Sequence, residues 1–151
     1  MPKNKLLRMD NMGIVVASLD TTVLFFEAIG LKLEWRGMIE GKWAGRVTGL
    51  SNQRVEVAMM VTPDGHSKLE LSQFLEPAVV EDHRLAPVNA LGYLRAMFTV
   101  DDIDELVNRL TGQHGATLVG EIVNYENIYK LCYLRSADGL LIGLAEELNK
   151  K

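Results

Sequence analysis

Met12 to Ala17 is a short apolar run rich in β-branched residues, and Ser18 and Asp20 behind it are good N-capping types, so the pattern predicts a strand leading into a helix. From Leu19 the apolar positions Leu19, Val23 and Phe26 recur at i, i+4 and i+7, and Gly30 closes the segment as a C′ glycine does. Lys32 to Ile39 and Arg46 to Leu50 read as strands separated by Gly41 and Gly45. Arg54 to Val61 alternates, with Val55, Val57, Met59 and Val61 on one face and Arg54, Glu56, Ala58 and Met60 on the other. The Pro63-Asp64-Gly65 turn ends that strand. Lys68 to Phe74 alternates again and sets Lys68, Glu70 and Ser72 opposite Leu69 and Leu71.

Glu76 to Asn89 breaks the patterning with Pro77, Pro87 and the charge cluster Glu81-Asp82-His83-Arg84, and is read as a linker spanning 77–90. The chain then repeats its opening. Arg95 to Val100 reads as a strand, Asp101-Asp102 as a cap with Glu105 three residues on, and Ile103, Leu106, Val107 and Leu110 form a helical stripe. Gly112 and Gly115 end that helix. Thr117 to Val123 and Tyr129 to Leu134 read as extended, Ala137-Asp138-Gly139 as a turn and Leu140 to Ala145 as the final strand. Adding 84 carries Ile14 to Phe98, Val16 to Val100, Leu19 to Ile103, Asp20 to Asp104, Val23 to Val107 and Phe26 to Leu110. The chain therefore reads as an α+β protein made of a duplicated βαβββ unit, one domain over 1–151 with module one at 8–76 and module two at 91–147. In each module one sheet face packs on its helix, which leaves the other free to line a concavity.

Composition narrows the partners. Sixteen Lys and Arg against twenty Asp and Glu leave a net charge of −4, with no basic run beyond the terminal Lys150-Lys151, which argues against nucleic acid. No apolar stretch approaches the ~20 residues a bilayer span needs, and the N-terminus carries no secretory pattern, so a cytoplasmic protein without a membrane partner is expected. The single cysteine, Cys132, makes neither an intramolecular disulfide nor a cysteine-based metal site.

Four segments carry a family likeness: Met9-Asp10-Asn11-Met12-Gly13-Ile14-Val15-Val16, Phe25-Phe26-Glu27-Ala28-Ile29-Gly30-Leu31, Asp64-Gly65 before Leu69-Glu70-Leu71, and Ala137-Asp138-Gly139 before Leu141-Ile142-Gly143-Leu144. Together they resemble the vicinal oxygen chelate superfamily, which contains glyoxalase I, extradiol dioxygenases, methylmalonyl-CoA epimerase and bleomycin-resistance proteins. The resemblance implies two tandem modules forming a cup-shaped mixed β-sheet with the helices outside. In metal-dependent members the cup holds a divalent ion through one side chain from the first and one from the last strand of each module. Those places fall on Asn11, Glu70, Arg95 and Gly143. Only Glu70 is a good ligand: a guanidinium has no available lone pair, glycine has no side chain, and an amide oxygen holds zinc, nickel or iron weakly. Neither a metal nor another cofactor is expected.

With the cup geometry kept, the resemblance places Arg95 at the cation position facing Glu70, either as a structural pair or as an anion-reading device. Glu70 and Arg95 are thus the candidate catalytic pair. The candidate ligand-binding set is Asn11, Trp35, Trp43, Glu56, Glu70, Arg95, Met97 and Tyr133. Glu56 is equally read as solvated or paired across strands, and Trp35, Trp43 and Tyr133 as core packing. His66, His83 and His114 read as surface residues whose spacing matches no zinc signature, and Cys132 as core. Two functions follow. One is a metal-free protein of the bleomycin-resistance kind that sequesters a small organic ligand in the cup or in a groove of a homodimer. The alternative is a glyoxalase-like lyase, isomerase or dioxygenase, using a divalent metal or a Glu70 or Glu56 base with Arg95 stabilising an oxyanion.

Overall fold

Ser18 accepts a hydrogen bond from the Thr21 backbone N–H at 3.3 Å, and this cap starts α1 (Leu19–Ile29) directly behind β1 (Met12–Val15). The computed structural model describes residues 5–149. The chain divides into two units, the first ending at Val79 and the second beginning at Val80. The first continues through β2 (Lys32–Glu40), α2 (Lys42–Thr48), β3 (Arg54–Val61) and β4 (Lys68–Glu76). Its sheet has the order β1-β4-β3-β2, parallel between β1 and β4 and antiparallel elsewhere.

The second unit runs β5 (Ala96–Thr99), α3 (Ile103–Gln113), β6 (Thr117–Leu118), β7 (Val123–Tyr125), β8 (Tyr129–Arg135) and β9 (Leu141–Glu147). Its strands follow the same plan. β5 is parallel to β9, β9 antiparallel to β8, and β6 and β7 both pair with β8 where the first unit has the single strand β2. The fold is therefore α+β with a βαβββ plan in each half, and the stretch 117–123, expected to be extended throughout, is split by a loop between β6 and β7.

The duplication holds to the residue. The two 11-residue helices begin at Leu19 and Ile103 and end at Ile29 and Gln113, an offset of 84 at both ends (103 − 19 and 113 − 29). Val16 N–H donates to the Ser72 carbonyl and Val100 N–H to the Ala145 carbonyl, both at 2.8 Å. The first backbone N–H of each helix is bound by a side chain of the last strand: Leu19 donates to Gln73 Oε1 at 2.8 Å and Ile103 to Glu146 Oε1 at 2.9 Å. Each satisfies a donor that the helix itself leaves orphaned. Leu19, Val23 and Phe26 are buried in one core with Ala58, Met60, Leu69 and Leu71, and Ile103, Leu106, Val107 and Leu110 in the other with Cys132, Leu134, Ile142 and Leu144. Burying each large apolar side chain contributes about 1.5–3 kcal/mol before entropy is subtracted.

One expectation is corrected. Arg46 to Leu50 is not a strand, because Lys42–Thr48 forms α2, ended by the left-handed Gly49 whose N–H returns to the Gly45 carbonyl at 2.8 Å. Gly45 permits this, since a Cβ there would stand 2.6 Å from the Leu50 carbonyl oxygen. The alternation of β3 holds: Ala58 and Met60 are fully buried on the α1 side, while on the other face Val55 and Val57 are buried and Met59 and Val61 half-exposed. The expected linker is fixed to the second unit over part of its length. Arg135 Nη1 donates to the carbonyls of Arg84 and Gly139 at 3.0 and 3.2 Å, and Nη2 to the Ala86 carbonyl at 2.7 Å.

Candidate functional site

Cross-strand partners share a face, so the registers fix which candidates lie together. In the second unit Met97 pairs with Gly143 across the β5–β9 ladder, and Gly143 with Tyr133 across β9–β8. This row lies on the sheet face opposite the buried Ile142, Leu144 and Leu134, that is, away from α3. A Cβ at Gly143 would stand 3.0 Å from Met97 Cγ and 3.3 Å from its Sδ, so the methionine fills the place a side chain on β9 would take. Arg95, one residue before β5, holds its guanidinium over the Tyr133 ring with Cζ 4.6 Å from the centroid. Arg95, Met97, Tyr133 and Gly143 thus form one cluster. Arg95 and Met97 are exposed, and among the described residues of the unit Arg95 has no carboxylate partner and no hydrogen bond.

The first unit carries the equivalent row. Gly13 pairs with Glu70, Glu70 with Met59, and Met59 with Trp35. The glycine here is on the first strand and the side chain on the last, the reverse of Met97 and Gly143. Trp35 folds along β2, with its Cζ2 2.6 Å from where a Gly37 Cβ would be, so only glycine at 37 leaves it that room. Asn11 precedes β1 and donates to Asp10 Oδ2 at 2.8 Å. Trp43 is exposed on α2. Glu56 does not join Glu70: its ladder partner Gln73 reaches the helix start, which places both on the α1 face, where Glu56 Oε2 accepts from Arg36 Nε at 2.8 Å. Arg36 Nη2 also reaches Asp20 Oδ1 at 2.7 Å, and these two carboxylates hold the guanidinium above its ordinary pKa.

One feature escaped the sequence. Arg135 and Tyr93 form a polar clamp, with Tyr93 Oη donating to the Arg84 carbonyl at 2.8 Å and lying 3.3 Å from Arg135 Nη1. Its acceptors are mostly backbone carbonyls, which any residue carries, so no residue pattern marks it. Cys132 is buried in the core as expected, and burial, aided by Asp104, pushes its thiol pKa up.

Among solved structures the chain is similar to a glyoxalase family protein from Bacillus cereus, at 69% identity and TM-score 0.96, with 99% of each chain covered. The chain belongs to the glyoxalase family. The vicinal oxygen chelate likeness of its sequence is thereby shown. At lower identity the glyoxalase fold extends to the trypanothione-dependent glyoxalase I of Leishmania major, with 17% identity, TM-score 0.66 and 94% and 88% of the two chains covered. It extends equally to a genomically encoded fosfomycin resistance protein from Listeria monocytogenes, solved with Mn(II) and sulfate, with 13% identity, TM-score 0.58 and 94% and 93% coverage. No protein-family profile and no curated protein matches the chain. Among the described residues no helix is long and apolar enough to cross a membrane.

The metal that this glyoxalase-family fold implies does not fit the residues present. Within each unit, no three His, Cys, Asp or Glu side chains among the described residues are grouped to hold an ion. In the second unit the places that the sequence resemblance assigns to ligands carry a guanidinium engaged with Tyr133 and a glycine whose side-chain space is taken by Met97.

Proposed function

We propose that the protein binds a small organic ligand without a metal ion, on the open face of the second sheet around Arg95, Met97, Tyr133 and Gly143. The observation that carries this is the Met97 side chain against Gly143. It replaces a coordinating position by a soft apolar surface, beside an aromatic ring and an exposed cation. Methionine adapts to varied ligand shapes, and Tyr133 offers a flat wall. Trp35 and Met59 give the open face of the first unit a similar aromatic and thioether lining, with Glu70 as its charge. The enzymatic alternative is weakened at Glu56, whose carboxylate is taken by Arg36 on the helix face.

The two glyoxalase-fold neighbours act on or resist small organic molecules, which fits a ligand of that size. A thermal-shift screen of small organic molecules, run with and without EDTA, tests the reading. Stabilisation by a ligand that EDTA leaves unchanged is the expected result; stabilisation that disappears with EDTA and returns with Zn, Ni or Mn would overturn it.

A further inference from the structure

Five Arg and Lys side chains are described in the second unit, and three of them are paired with carboxylates: Arg84 with Asp82, Arg109 with Glu105 and Lys130 with Asp104. The remaining two are Arg95 and Arg135. Arg135 donates only to uncharged oxygens, the carbonyls of Arg84, Ala86 and Gly139 and the Tyr93 hydroxyl, so its formal charge is not neutralised within the unit. Strand alternation places Arg135 on the same face as Tyr133, two residues along β8, and Tyr133 is the ring beneath Arg95. The two unneutralised cations therefore share one end of the open face.

We infer that this face selects organic anions, a carboxylate or phosphate on an apolar or aromatic body, with Arg95 as the anion-binding residue; the inference rests on the ligand-binding reading above. Arg95 lies over the Tyr133 ring and donates no hydrogen bond among the described residues of the unit, which leaves its N–H groups available, and a planar fork of donors matches a carboxylate or phosphate bidentately. The body of the ligand is received by Met97, whose side chain lies against Gly143, and by Leu131 and Ala145 on the same face. Arg135 is committed to its carbonyls and contributes by its field rather than by contact.

The experiment titrates 1-naphthoate, 1-naphthyl phosphate and the neutral 1-naphthalenemethanol into the full chain while following the amide resonances of Tyr133 and Gly143. At least one of the two anions is expected to bind about tenfold or more tighter than the alcohol, the scale of one charge-assisted hydrogen bond. Which anion wins separates carboxylate from phosphate recognition. Arg95→Leu should remove most of the gap between the anions and the alcohol and leave the alcohol unchanged, and Arg95→Lys should recover only part of it. Equal affinities for all three probes in the unsubstituted protein, or a gap that Arg95→Leu leaves undiminished, would overturn anion selection while the binding reading stands. Failure of every probe to move either resonance at millimolar concentration would overturn both.

Discussion

Met97 occupies the space that a side chain at Gly143 would need, with Cγ 3.0 Å from the position of a Cβ there. The equivalent pair in the first unit, Gly13 and Glu70, has the opposite arrangement, with the small residue on the first strand and the long one on the last. Each ladder position has room for one side chain, and the two halves fill it from opposite strands.

Gly143→Glu alone should therefore destabilise the chain by about 1–3 kcal/mol, the cost of forcing a side chain into filled space. Combined with Met97→Gly, which recreates the arrangement of the first unit, the loss should shrink by about 1 kcal/mol or more, as expected for residues in contact. Urea denaturation of the two single variants and the double variant measures the coupling. Additive losses would mean that the two positions do not compete.

Gln73 and Glu146 bind the first N–H of their helices from the last strand of each unit. Replacing either by Ala should cost about 1 kcal/mol, as for loss of an N-terminal cap, whereas Gln73→Glu should be tolerated because the second unit already uses glutamate there. Thermal denaturation reads both, and a neutral Gln73→Ala would show that water replaces the contact without loss.

Much of this architecture was legible because it is written in apolar spacing. The stripe Leu19, Val23, Phe26 and its counterpart Ile103, Val107, Leu110 predicted both helices and the offset that relates them. Helix α2 was not legible: Gly41 and Gly45 read as breaks between strands, and Val47 and Thr48 favour strands. Its formation depends on a close backbone approach at Gly45 and on the Thr48 Oγ1 hydrogen bond to Gln53 Oε1 at 2.6 Å, neither of which has a periodicity. Both faces of β3 carry apolar residues, so alternation alone does not say which of the two lies against α1. Of the site, the grouping of Arg95 with Met97 and Tyr133 follows from strand parity, while the separation of Glu56 from Glu70 required the ladder register.

Arg135→Ala should free the segment around Arg84 to Tyr93 from the second unit, since it removes three hydrogen bonds to backbone carbonyls. The expected loss is on the order of 2 kcal/mol, and Arg135→Lys should not restore it, because a single ammonium cannot span three carbonyls. Limited trypsin digestion should then cut at Arg84 well before the rest of the chain. Unchanged cleavage would place the restraint elsewhere.

Cys132 should be inert in the native state. Burial raises its thiol pKa, so little thiolate forms near neutrality and access is poor. Because the folded value lies above the unfolded one, the neutral thiol favours folding, and its contribution falls as pH rises past the unfolded thiol value of about 8.5. Iodoacetamide at pH 8 should label the chain at least about tenfold more slowly in buffer than in urea, given the scarcity of thiolate. Comparable rates would show that β8 opens readily.

Glu56→Gln should leave ligand affinity unchanged, since Glu56 lies on the α1 face with Arg36, and should cost less than about 1 kcal/mol for a half-exposed pair. A marked loss of binding would return Glu56 to the site.

Elemental analysis is the most direct test of a glyoxalase-family protein that works without a metal. The chain is purified without chelator, dialysed, and assayed for Zn, Ni, Fe, Mn and Co. With Asn11, Arg95 and Gly143 at three of the four places that the sequence resemblance assigns to ligands, content far below one ion per chain is predicted. About one ion of any of these metals per chain would contradict the account.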